Sequence, residues 1–242
     1  RCWFCTHGMH NLCAQRRIVG VACTEYRKNG AMAQYIAVKA RTLYALPPTV
    51  SFEQGCLVEP FAVGMHAVLR SGLAAGQTAA VIGDGTIGLM TLIAAKSQGA
   101  QVCMSGHHAR PMQLAAQLGA LDCAQLPQLT AERGADVVYD AVGSQNSFAQ
   151  AMELVRKGGR IMVIGNHART IDFPLQRCIT EQIDVQFSYS SAGEYPVCLQ
   201  AIAEGRADLT GLWQSFPLAE GAQVFDRLVH RDESLTKAIL IP

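Results

Sequence analysis

Polar and apolar positions change their period near residue 77. Before it, Arg17 to Val21, Ala33 to Val38 and Leu43 to Leu46 are short apolar pieces separated by charges or by Asn29-Gly30, which is β-like punctuation. Pro47-Pro48 ends that run. A helical pattern starts at Ser51 to Gln54 and includes Glu59, and residues 61–72 read as a second helix. From Gln77, short continuous apolar strands alternate with amphipathic or apolar helices. The strands are Ala79 to Ile82, Gln101 to Met104, Asp136 to Tyr139 and Arg160 to Ile164. The helices between them are Ile87 to Lys96, Arg110 to Leu118 (closed by Gly119) and Ser147 to Arg156. Ile183 to Phe187 and Ala238 to Ile241 are further strand candidates, and Pro196 to Glu204 and residues 217–230 further helices. Alternation of this kind predicts an α/β fold with a doubly wound parallel sheet, its strands apolar throughout because both faces are covered.

The 242 residues are enough for one large domain or two modest ones. Half of the residues are hydrophobic, 16% are charged and the formal net charge is +1, which argues against disorder and against broad binding to nucleic acid or anionic membrane. No apolar run is long enough for an ordinary transmembrane helix, and residues 1–20 lack the apolar core of a signal peptide. The nine cysteines show no disulfide-framework spacing, so the expected compartment is reducing, the cytoplasm, with Cys56, Cys103, Cys123, Cys178 and Cys198 as packing groups.

Two motifs carry chemistry. Cys2-Trp3-Phe4-Cys5 is a CxxC, with Cys13 after seven more residues. Three thiolates this close point to zinc, with His7 or His10, or a residue before Arg1, as the fourth ligand; the plainer reading is three reduced thiols. Gly83-Asp84-Gly85-Thr86-Ile87-Gly88 fits GxGxxG, between a strand and a helix and inside a βαβ unit. In that context the glycines allow a tight turn, close approach of a pyrophosphate and close helix–strand packing, with the helix N-terminus facing the phosphates. Residues 104–110 (Met-Ser-Gly-His-His-Ala-Arg) end the second strand without the acid that a site selective for NAD places there. Ser105 and Arg110 can hold a 2′-phosphate, which favours NADP over NAD; alternatively, Arg110 is only a solvated first-turn residue. His107 and His108 fall near the same adenosine end. Asp140, Val142 and Gly143, and then Gly165 and Asn166, follow strand ends where nicotinamide cofactors rest. His66 reads as an interdomain histidine with its bonds satisfied rather than as a metal ligand.

Together, the cysteine cluster, the glycine loop and their spacing resemble the zinc-dependent medium-chain dehydrogenase/reductase family, in its polyol (sorbitol) and threonine dehydrogenase branch. Asn29-Gly30-Ala31-Met32-Ala33-Gln34-Tyr35, Leu57 to Val63 with Glu59-Pro60, and Lys157-Gly158-Gly159-Arg160 carry the likeness across the chain. The resemblance implies a partial GroES-like, β-rich catalytic domain at residues 1–60, a Rossmann domain at 61–205 and a return to the catalytic domain at 206–242. It implies Cys2, Cys5 and Cys13 as three of four structural-zinc ligands and Glu59 at a catalytic zinc; Glu59 as a helix-capping acid is the other reading. It further implies a polyol or other secondary alcohol as substrate and hydride transfer to NAD or NADP. With the sheet edge at Ile183 to Phe187, it also implies a homodimer or homotetramer. The family's first segment, with its remaining zinc ligands, has no counterpart here, which reads as either a fragment of a longer enzyme or a truncated protein; a truncated, non-catalytic dinucleotide-binding module is the alternative function. A zinc-free quinone-reductase-like enzyme is disfavoured by the cysteines and Glu59.

Overall fold

The computed structural model describes residues 2–21, 23–230, 232 and 234–242. Its main feature is a six-stranded, wholly parallel sheet of order β3-β2-β1-β4-β5-β6. The strands are β1 (Thr78–Ile82), β2 (Gln101–Ser105), β3 (Leu121–Asp122), β4 (Ala135–Asp140), β5 (Val155–Val163) and β6 (Asp184–Phe187). The order reverses between β1 and β4, which opens a crevice at the carboxyl ends of those two strands.

Side-chain alternation divides the sheet's residues between two cores. Ala79, Val81, Val102, Met104, Val137, Tyr139 and Met162 face α2 (Phe52–Ser71), α3 (Thr86–Ser97), α4 (Ala109–Gln117) and α8 (Tyr195–Ala203). Ala80, Ile82, Cys103, Val138 and Ile161 face α5 (Leu126–Thr130), α6 (Gln145–Leu154) and α7 (Leu175–Thr180). Strand β1 is buried along its whole length, Thr78 included, as its apolar run Ala79 to Ile82 requires.

Where two helices were expected around residues 51–72, there is one. Ser51 caps α2 reciprocally: its hydroxyl accepts from Gln54 N at 3.2 Å, and Gln54 Oε1 accepts from Ser51 N at 2.9 Å. Gly72, left-handed at φ +68°, closes it. The helix runs through Pro60, which is buried between Val58 and Phe61. Burial of this apolar stretch outweighs the one backbone bond that proline removes.

The three apolar pieces before residue 47 are not strands. Residues 18–21 and 26–28 face each other through Ile18 N to Tyr26 O and Gly20 N to Lys28 O, at 3.0 and 3.1 Å. Within residues 31–44 the backbone bonds are local, and Tyr35 is 92% exposed. An alternating sequence becomes a strand only where a neighbour takes its N–H and C=O groups; the first piece has only this local turn-back, and among the described residues the other two show no such neighbour. Preceding them is the short helix α1 (Trp3–Thr6). At the other end, β7 (Gln214–Pro217), which sequence reasoning missed, pairs in parallel with β8 (Ala238–Ile241) across α9 (Gly221–Val229).

Helices α2 and α3 meet at Gly64, where an added Cβ would lie 2.7 Å from Thr91 N and 2.8 Å from Met90 O. Both groups are helix backbone and cannot yield separately. Gly64→Ala should therefore lower stability by about 1–3 kcal/mol despite alanine's better helix propensity, read as a lower denaturant midpoint. An unchanged or higher midpoint would contradict this packing.

Candidate functional site

The glycine loop leaves β1 at Gly83, whose φ of +101° an L side chain rarely adopts. Gly88 is buried with its Cα against the Gly83 carbonyl, so a Cβ there would collide with loop backbone. Gly85 is the opposite case: it is exposed, it caps α3, and a Cβ built on it meets nothing within 4 Å. Thr86 and Ile87 follow, half-buried, in the first turn of α3. The loop thus leaves an open approach to the amino end of a twelve-residue helix, where unsatisfied N–H groups and the helix dipole favour an anion. Thr86 Oγ1 also donates to Thr236 O at 3.4 Å, which brings the segment before β8 to the crevice.

The neighbouring rim is held together by backbone. Gly83 N bonds Ser105 O, Ala141 N bonds Ile82 O, and Ile164 N and Gly165 N both bond Asp140 O, at 2.8–3.0 Å. Gly143 and Gly165 touch backbone to backbone, and a Cβ on either would strike the other's loop. Asp140, fully buried, braces this turn: Oδ1 accepts from Val142 N and Gly143 N, both at 2.9 Å, and Oδ2 from Ser147 Oγ at 3.0 Å. Val142 is exposed at the rim beside Gly83, toward which its Cγ2 points. The positions picked from strand ends therefore do converge, but Asp140 shapes the turn rather than facing the crevice.

At the end of β2, Ser105 Oγ accepts from Gln150 Nε2 at 2.8 Å. Arg110 is exposed in the first turn of α4 and has no ion pair among the described residues. The sequence shows no acid on this segment, but the fold brings one there. Asp84, the second residue of the glycine motif, is 6% exposed and accepts from His107 N at 2.7 Å, His108 N at 2.6 Å and His108 Nδ1 at 3.0 Å. Burial works to raise its pKa, but these hydrogen bonds and the His108 ring outweigh burial and the net shift is downward, so the carboxylate is ionised at neutral pH. An acid between two loop glycines was the only signal for this contact.

At the amino end, the sulfurs of Cys2, Cys5 and Cys13 all lie within 4.8 Å of one another. Cys2 and Cys5 Sγ are 3.7 Å apart. The Ala14 N–H, 3.5 Å from Cys2 Sγ, leads a set of bonds that pulls the Cys2 thiol down to about 6. Cys5 is pushed up to about 11, first by its bond with Cys13 and then by burial. Three cysteine sulfurs this close form a donor set that a Zn²⁺ ion fits. Neither expected fourth ligand joins them: His7 stacks on Trp3 with ring centroids 4.1 Å apart and bonds Trp3 O through Nδ1, and His10 is outside the cluster.

Glu59 is exposed on α2, and its charge helps push the Tyr195 phenol up to about 12, after burial. It is not brought together with the cysteine cluster. His66, one turn further and more, is a bonded histidine as expected: Nδ1 donates to Glu194 Oε1 at 2.7 Å, with both side chains largely buried. Glu194 also accepts from Ala192 N at 2.5 Å, and Asn11, beside His66, donates to Tyr189 O at 2.8 Å. This network ties the amino-terminal loops to α2 and to the start of α8.

Comparison with known proteins shows the family and the fold. A family pattern described as zinc-binding dehydrogenase matches residues 86–204. A zinc-type alcohol dehydrogenase-like protein of Escherichia coli K12 is 30% identical over 99% of this chain and 71% of its own length. Sorbitol dehydrogenase of Bacillus subtilis is 26% identical over 100% of this chain and 71% of its own. Among solved structures, an Escherichia coli oxidoreductase/dehydrogenase of unknown specificity superposes with a TM-score of 0.90 at 29% identity, over 99% of this chain and 71% of that one. Among the described residues, no helix is long and apolar enough to cross a membrane.

The Glu194 carboxyl titrates below its ordinary value: burial raises it, but the His66 bond and the Ala192 N–H lower it further. A depressed carboxylate gives stability that is present above its unfolded pKa and lost as pH falls through the folded one. Glu194→Gln should thus cost about 2 kcal/mol at pH 7, with the gap to the parent closing below about pH 4 in denaturation series. A gap that stayed constant down to pH 3 would contradict the assignment.

Proposed function

The chain belongs to the zinc-binding dehydrogenase family, and we propose that it acts as a zinc-dependent oxidoreductase that passes a hydride between a secondary alcohol, polyol or sugar-derived, and a nicotinamide dinucleotide. The observation that carries the proposal is the open approach at Gly85 to the amino end of α3, at the point where strand order reverses. In this reading, residues 61–205 form the dinucleotide-binding domain, which encloses all six strands of the parallel sheet. Residues 1–60 and 206–242 belong to the catalytic domain.

When bound, zinc supplies Lewis acidity toward an alcohol oxygen, and the nicotinamide supplies the hydride chemistry. The chain's own residues hold and align. The N–H groups of Thr86, Ile87 and Gly88 receive the pyrophosphate. Val142 and Gly165 would hold the nicotinamide half, and the Asp140 brace keeps their turns rigid. Ser105 and Arg110 read the ribose end, and their hydroxyl and guanidinium favour NADP over NAD. Cys2, Cys5 and Cys13 hold a structural zinc that pins the amino-terminal loops, and Glu59 serves at the catalytic zinc.

Two measurements test this. Calorimetric titration should give saturable binding of NADPH or NADH, and Arg110→Ala should reduce the NADPH:NADH affinity ratio by about tenfold. Elemental analysis should find zinc in the purified protein, with one equivalent per chain lost in Cys5→Ala. Absence of binding by both nucleotides would remove the oxidoreductase reading. Binding without zinc would leave only a dinucleotide-binding module.

A further inference from the structure

Selection between a ribose 2′-hydroxyl and a 2′-phosphate depends on the charges nearest the end of β2. Along the sequence this segment is neutral or basic: Ser105, His107, His108 and Arg110. In space it contains a buried anion. The Asp84 carboxylate enters from the glycine loop and takes two consecutive backbone N–H groups, those of His107 and His108, together with the His108 ring. Two successive N–H groups converging on one point make an anion-binding concavity, and this concavity is filled by a side chain of the chain itself. The fit is close: a Cβ on Gly106 would fall on the Asp84 side chain, so glycine is required where the loop passes the carboxylate.

We infer that Asp84 is the specificity-determining acid of the dinucleotide site: it positions the loop between β2 and α4 and, by its charge, holds down affinity for a 2′-phosphate. The inference rests on the proposed dinucleotide reading and deepens it. Asp84 acts in two ways. It joins the turn that receives the pyrophosphate to the turn that receives the ribose, so the two cannot move apart. It also spends the N–H groups of His107 and His108 on an internal carboxylate, so Ser105 and Arg110 meet a phosphate without them and with an anion on the same turn. Unlike an acid at the end of the second strand, Asp84 has its oxygens on loop donors, so its charge tempers the preference of Ser105 and Arg110 for a 2′-phosphate rather than reversing it.

The test measures dissociation constants for NADH and NADPH on the full chain, by reduced-nicotinamide fluorescence, in the parent and in Asp84→Asn, with melting curves for each. Asp84→Asn should raise the NADPH:NADH affinity ratio by about three- to tenfold. If that variant does not fold, Asp84→Ser removes the same charge, frees space for water at the loop N–H groups, and carries the same expectation. A ratio unchanged within about twofold, or a fall, in a variant that melts cooperatively would overturn the inference while leaving dinucleotide binding intact. A parent protein that binds neither nucleotide fails at the earlier step and takes the inference with it.

Discussion

Backbone must touch backbone at the carboxyl rim of the parallel sheet, and the molecule is organised around allowing it. Gly83 and Gly88 bring the start of α3 onto the end of β1, and Gly143 and Gly165 bring the turns after β4 and β5 into contact. No side chain fits between these pairs. The consequence is a rim with little side-chain bulk in front of the α3 amino end, bonded strand to strand through Ser105, Gly83, Ile82, Ala141 and Asp140. A dinucleotide needs such a surface because its phosphates are recognised by N–H groups at short range.

Two buried acids hold this rim in shape by the same device. Asp140 takes the N–H groups of the β4 turn and the Ser147 hydroxyl. Asp84 takes those of the β2 turn and the His108 ring. Each takes up N–H groups that a tight turn would otherwise leave unpaired, so each buried carboxyl is hydrogen-bonded where it sits. The catalytic proposal depends on this rigidity, since hydride transfer demands a fixed distance between two reactants.

The sheet and the glycine loop were legible in the sequence because their signals are local: unbroken apolar strands, a motif set between strand and helix, and capping at Ser51. The cysteine cluster was legible for the same reason, as three thiols within a dozen residues. What escaped depends on partners distant in sequence. Asp84 meets His107 and His108 more than twenty residues on, and His66 meets Glu194 across 128. The short β3 and β7 are strands only because β2 and β8 accept them. Conversely, residues 33–38 have the alternation of a strand but, among the described residues, no neighbour to pair with.

Amide hydrogen exchange tests the central claim most directly, that the β1–α3 turn is a phosphate cradle. With saturating NADH or NADPH, the account predicts slowed exchange at Gly85 to Gly88, with weaker protection at residues 105–108 and 141–143. Protection confined to other parts of the chain, or none under conditions where the nucleotide is bound, would contradict it.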